Sequence, residues 1–167
     1  MSAYFLDANA LYKYYQTEAG STTVQALVGG NPYRCFISEW SLVEFVSTFR
    51  SKIAEAGNVS AQESLRAIFL AVYRQLLADV RDTGRFILRP LPTGWRPRAI
   101  SLILEASILP PNAQRRSLKP GDALQLVAFE DVRRSFPAAQ MVTNDQKLLR
   151  VCEGLSYPAL DPCQQPG

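Results

Sequence analysis

Histidine is absent from all 167 residues of this chain. The usual neutral-pH proton shuttle, a Ser–His or Cys–His nucleophile pair and a His-liganded zinc are thereby excluded. Cysteine is scarce: Cys35, Cys152 and Cys163 are odd in number and far apart, so they make neither a disulfide framework nor a CxxC clamp, and a reducing cytoplasm is expected. No apolar run approaches the ~18 residues of a membrane span, and no basic-then-apolar leader precedes the first structured segment; no membrane association and no export are expected. Charge of one sign is barely in excess, 18 Lys and Arg against 15 Asp and Glu for a net +3, which does not by itself imply a nucleic-acid partner. Any chemistry must run on carboxylates, hydroxyls, thiols or bound cations.

Of the 18 basic residues 14 are Arg, whose planar fork suits bidentate phosphate contacts. The length fits one domain, over residues 1–162, with a short frayed tail at 163–167. Strands are predicted at Ala3–Leu6, Arg34–Ile37, Phe86–Leu91, Gln140–Thr143 and Tyr157–Leu160. Between them lie helical patterns at Ala10–Gln16, Thr22–Val28, Glu39–Ala56, Ala61–Asp82, Arg96–Ser107, from Pro120 to about Arg134 and from Asp145 to about Cys152. Ser38 is read as the cap of the third helix and Ser60-Ala61-Gln62-Glu63 as a capping box opening the fourth. Strands alternating with helices predict an α/β protein, a three-layer α/β/α sandwich around a mainly parallel sheet of about five strands. All parallel strands end on one edge, where such folds bind ligands.

Four acids occupy conspicuous places. Asp7 follows the first strand, Glu44 interrupts the apolar run Leu42-Val43-Glu44-Phe45-Val46, Asp122 opens a mostly buried helix, and Asp145 follows the strand ending Val142-Thr143. Asp7, Asp122 and Asp145 could each be a helix cap, and Glu44 could reach water at a rim. Together, however, the topology brings them to one edge, where a pair at 4 Å would repel by about 4 kcal/mol at an effective dielectric near 20. A divalent cation removes that conflict, and an oxygen-only set favours Mg²⁺ or Mn²⁺. Thr143 and Asn144 could supply a hydroxyl or an orienting hydrogen bond. Such acidic clusters serve phosphodiester cleavage without any histidine.

In order along the chain, Phe5-Leu6-Asp7-Ala8-Asn9-Ala10-Leu11, Ser38 with Glu44, Gly121-Asp122-Ala123-Leu124-Gln125-Leu126, and Val142-Thr143-Asn144-Asp145 followed by Leu160-Asp161-Pro162 resemble the motifs of PIN-domain nucleases. Within that family the compact chain is similar to VapC-type toxins of bacterial toxin–antitoxin pairs, over residues from about Ala3 to Pro162. The resemblance implies a PIN-like α/β/α fold, Mg²⁺- or Mn²⁺-dependent endoribonuclease activity, a homodimer, and inhibition by a cognate antitoxin. By position Asp7, Glu44, Asp122 and Asp145 match the family's acids. Asp7, Asp122 and Asp145 would hold the metal and Glu44 would position or deprotonate the attacking water. Thr143 matches the hydroxyl residue before the last acid, and Asn9 a polar residue supporting the first. Arg115, Arg116 and Lys119, close to Asp122 in sequence, are candidates to bind RNA phosphates. Two departures stand out: Ala8 replaces a common Thr or Ser, and the loop Leu109–Lys119 is long.

Two other readings use the same residues. Asp7-Ala8-Asn9 after a strand also resembles the nucleophile loop of haloacid-dehalogenase-type phosphatases, although Asn9 stands where a second Asp is usual. A receiver-like Mg²⁺-binding module without enzymatic activity gathers acids in the same way but has an acidic pair directly after its first strand. In the two long helices Phe69, Val72, Tyr73 and Leu76 are expected to serve mostly as core, any exposed remainder suiting a homodimer or an antitoxin helix.

Overall fold

Phe5 and Leu6 are adjacent and both fully buried, so the first strand must be covered on both faces, because successive side chains of a strand point to opposite sides. The computed structural model describes residues 2–30, 34–108 and 118–164. Its elements run β1 (Ala3–Leu6), α1 (Ala8–Tyr15), α2 (Ser21–Gly29), β2 (Arg34–Ser38), α3 (Glu39–Glu55), α4 (Val59–Arg81), β3 (Phe86–Arg89), α5 (Trp95–Ile108), α6 (Pro120–Ser135), β4 (Gln140–Val142), α7 (Gln146–Gly154) and β5 (Ala159–Leu160). The strands form one five-stranded sheet in the order β3-β2-β1-β4-β5, every neighbouring pair parallel. The expected α/β/α sandwich is what the chain adopts.

Two cores lie on the two faces. Phe5, Phe36 and Met141 point toward α5, α6 and α7, meeting Leu102, Leu126, Phe129 and Val151. Leu6, Ile37 and Val142 point the other way, toward Leu11, Val24, Phe45, Phe49 and Leu76 of α1 to α4. Each fully buried Phe or Leu contributes roughly 2–3 kcal/mol of hydrophobic stabilisation. Phe69, Val72 and Tyr73 pack against this second core, which absorbs the apolar residues that the long helices offered. The apolar side chains of α3 and α4 that stay exposed are others: Val43, Val46, Val59, Ile68 and Leu70.

Several boundaries differ from those expected. α4 opens at Val59, capped by Asn58, whose side chain accepts from the Ala61 amide, and not by Ser60. Asn58 wins because Val59 and Ser60 already have helical geometry, and an Asn side chain caps at least as well as Ser. β3 stops at Arg89 and leaves Pro90 outside the ladder, as a residue without an N–H requires. β5 is confined to Ala159–Leu160. Of the tail expected at 163–167, residues 165–167 lie outside the described residues; the Cys163 amide donates to Asp161, and its thiol lies 3.3 Å from the Ala19 carbonyl.

Gly20 makes that contact possible. Its φ is +87°, and a Cβ there would stand 2.9 Å from the Pro162 carbonyl oxygen. Gly20→Ala therefore combines a left-handed backbone with a clash, and should lower the urea-unfolding free energy by about 1–3 kcal/mol. An unchanged midpoint would mean that the turn and the C-terminal segment do not pack as described.

Candidate active site

The parallel register levels the ends of β1 and β4. Leu6 pairs with Val142, so Asp7 and Thr143 emerge side by side. The Asp7 amide donates to the Val142 carbonyl, and the Thr143 hydroxyl donates to Asp7 Oδ2. Asp7 Oδ1 accepts from the Ala10 amide at 2.6 Å, which caps α1. The carboxyl is thus clamped between two strand ends and a helix start. On the other side of β1, Ser38 ends β2 and caps α3, with Ser41 returning the bond to complete a capping box. Two turns into α3 stands Glu44. Across the edge, Asp122 sits in the first turn of α6, and Asp145 caps α7 by accepting from the Lys147 and Leu148 amides.

All four acids line one cavity of about 360 Å³, together with Asn9, Trp40, Lys119, Gly121 and Gln125. The ends of β1 and β4 deliver Asp7 and Asp145 to it, and α3 and α6 deliver Glu44 and Asp122. Among the described residues, no three His, Cys, Asp or Glu side chains stand as close together as a metal cage requires. The acids face the same space, yet Asp7 and Asp145 also spend oxygens on helix amides. Lys119 lines the cavity, whereas Arg115 and Arg116 lie outside the described residues. Thr143 is fully buried and acts on Asp7 from below. The Asn144 Oδ1 is buried without a hydrogen-bond partner, as is the Trp40 indole nitrogen.

Reasoning from sequence missed three contributors. Gln125, only 1% exposed, donates to Glu44 Oε2 at 2.8 Å and accepts from Ser38 and Ser41. Its signal was available: a polar residue within Ala123-Leu124-Gln125-Leu126-Val127 interrupts an apolar run just as Glu44 does. Gly121, where a Cβ would meet Glu44 Oε1 and stand 3.0 Å from the Trp40 indole nitrogen, was legible only as part of the motif around Asp122, and Trp40 left no trace.

Burial raises the Asp7 carboxyl to about 7; the Ala10 amide and Thr143 hydroxyl hold it down, and the charges of Glu44 and Asp145 add to the rise. Asp122 is raised to about 6, again first by burial, then by Asp145 and Glu44, against an opposing contribution from Lys119. The consequence for stability has a definite sign. In the unfolded chain Asp7 ionises near 3.8, while in the folded chain it keeps its proton until about 7, so across that window the folded state binds more protons and stability falls as pH rises. Asp7→Asn keeps a capping oxygen but cannot ionise. In buffer with a chelator its melting temperature should exceed the parent's by about 5 °C or more at pH 8, and by less at pH 5. A gap that does not widen with pH would mean that the Asp7 carboxyl ionises freely in its site.

The sequence matches no protein-family model and no curated protein. The structure does find relatives. It is similar to FitAB bound to the IR36 DNA fragment, at 10% identity over 98% of this chain and 98% of that one, with a TM-score of 0.59. It is similar to VapC20 of Mycobacterium tuberculosis, a sarcin–ricin loop cleaving toxin, at 12% identity over 88% of this chain and 93% of that one, with a TM-score of 0.54. It is also similar to VapBC2 from Rickettsia felis bound to a DNA fragment from their promoter, at 14% identity over 95% and 97% of the two chains, with a TM-score of 0.52. The chain carries the PIN-like α/β/α fold, shared with these structures over nearly its whole length.

Proposed function

We propose that this protein is a Mg²⁺- or Mn²⁺-dependent endoribonuclease that hydrolyses RNA phosphodiester bonds, and that it is the cytoplasmic toxin of a toxin–antitoxin pair. The observation that carries the reading is the convergence of Asp7, Glu44, Asp122 and Asp145 on one cavity at the carboxyl edge of a PIN-like sheet. Similarity to the toxin VapC20 and to VapBC2 supports a cognate antitoxin as partner.

The donor set suits a hard cation. It is made of oxygens alone, and the carboxyls of Asp7 and Asp122 are held up by burial and by neighbouring charges that a cation would offset. Asp7 and Asp122 would hold it most directly and Asp145 partly through water, since among the described residues no three of these side chains stand close enough to ligate it together without bridging waters. When bound, such a cation supplies a lowered pKa for water and neutralises charge developing on the phosphate and leaving oxygen. The chain's own residues do the rest. Thr143 and the Ala10 amide fix Asp7. Glu44, with Oε2 taken up by Gln125, orients the attacking water and accepts its proton on Oε1. Asn9 supports the edge beside Asp7, and Lys119 receives a substrate phosphate, with Arg115 and Arg116, nearby in sequence, as further candidates.

Neither competing reading has comparable support. A receiver-type sheet runs 2-1-3-4-5, unlike the order here. A phosphatase of that type has a second Asp two residues after its nucleophile, where this chain has Asn9.

Two measurements test the proposal. Asp122→Asn should cut cleavage of single-stranded or looped RNA by about 100-fold or more in Mg²⁺ or Mn²⁺ while the variant stays folded; undiminished cleavage rejects the site. Light scattering of the purified chain over a range of concentrations should report twice the monomer mass, and a strict monomer rejects the homodimer.

A further inference from the structure

We propose that Gln125 and Gly121 are positioning residues for Glu44, Gln125 by bonding one oxygen of its carboxylate and Gly121 by leaving the space that the other occupies; the inference rests on the ribonuclease reading above. The Ser38 and Ser41 hydroxyls each accept the other's backbone amide, at 2.9 and 3.2 Å. The two hydroxyl oxygens also lie 2.9 Å from each other, and both stand 2.9 Å from Gln125 Oε1, which accepts from this pair. With its oxygen held there, the amide aims Nε2 at Glu44 Oε2, 2.8 Å away. A flipped amide would set its oxygen against a carboxylate oxygen, two acceptors in a buried site. The capping box that starts α3 therefore sets, through one side chain of α6, the orientation of an acid two turns along α3.

Gly121 governs the other oxygen. A Cβ at this position would collide with Glu44 Oε1 and stand 3.0 Å from the Trp40 indole nitrogen. The glycine is helical, so no unusual backbone angle calls for it; what calls for it is the close approach of the carboxylate. The nearest atom in the way is the far end of a flexible side chain, and the Trp40 ring, partly buried and in neither core, has to give only by a few tenths of an ångström, so an alanine displaces Glu44 without disturbing the core. That predicts a loss of function without a loss of stability, which a merely structural glycine would not give.

The test uses the full chain, a fluorophore–quencher RNA oligonucleotide and Mg²⁺ or Mn²⁺. Gln125→Glu keeps the size and the acceptor for both serines but turns an acceptor toward Glu44. It should lower kcat about 10- to 100-fold with KM within about twofold, and add nothing further in a Glu44→Gln background. Gly121→Ala should lose kcat to a similar degree while melting no lower than the parent, since alanine favours a helix over glycine. Parent-like kcat in Gln125→Glu, or a loss that multiplies with that of Glu44→Gln, overturns the role of Gln125. Parent-like kcat in Gly121→Ala, or a fall in melting temperature that accounts for its inactivity, overturns the role of Gly121. A parent chain that cleaves no RNA overturns the ribonuclease reading and this inference with it, whereas an active parent with active variants overturns this inference alone.

Discussion

Like charges held at one edge of a sheet are the constraint from which the rest of this structure follows. Two neighbouring strands, β1 and β4, deliver Asp7 and Asp145 to the same end, while α3 and α6 bring Glu44 and Asp122 to the same cavity. Burial raises Asp7 and Asp122, and the other acids raise them further. Such a grouping costs stability, because Asp7 and Asp122 lose hydration and are repelled by Glu44 and Asp145. Under the function proposed above, a bound cation would relieve that repulsion.

Holding that arrangement takes backbone as much as side chains. Asp7 and Asp145 are both helix caps, so each is anchored by amides whose partial positive charge offsets part of the cost. The structural use of these residues and the functional one are therefore not rivals: the cap fixes the carboxyl in place, and the remaining lone pairs face the cavity. Glu44 has no cap to anchor it, being within a helix, and it is held by Gln125 instead.

How much of this was legible in the sequence follows from how local each feature is. Ser38 as a cap, Asp122 in a first turn and the strands from Ala3 and Gln140 depend on residues within a few positions, and they emerge as expected. The start of α4 failed because Asn58 and Ser60 are both good caps, and the choice turned on which residue first adopted helical angles. Gln125 and Gly121 were overlooked because their partners lie in α3, more than 70 residues away in the chain.

By itself the sequence determined the class of the fold, through alternating strands and helices, and it excluded histidine chemistry and singled out the four acids on which the proposed function rests. Tertiary structure alone decided the strand order, the clamping of Asp7 by Thr143, and the relay from Ser38 and Ser41 through Gln125 to Glu44. The physical reason is one of range. Periodicity and capping act over one or two turns of chain, whereas the geometry of a carboxylate in a cavity is set by hydrogen bonds between segments that meet only when both faces of the sheet are packed.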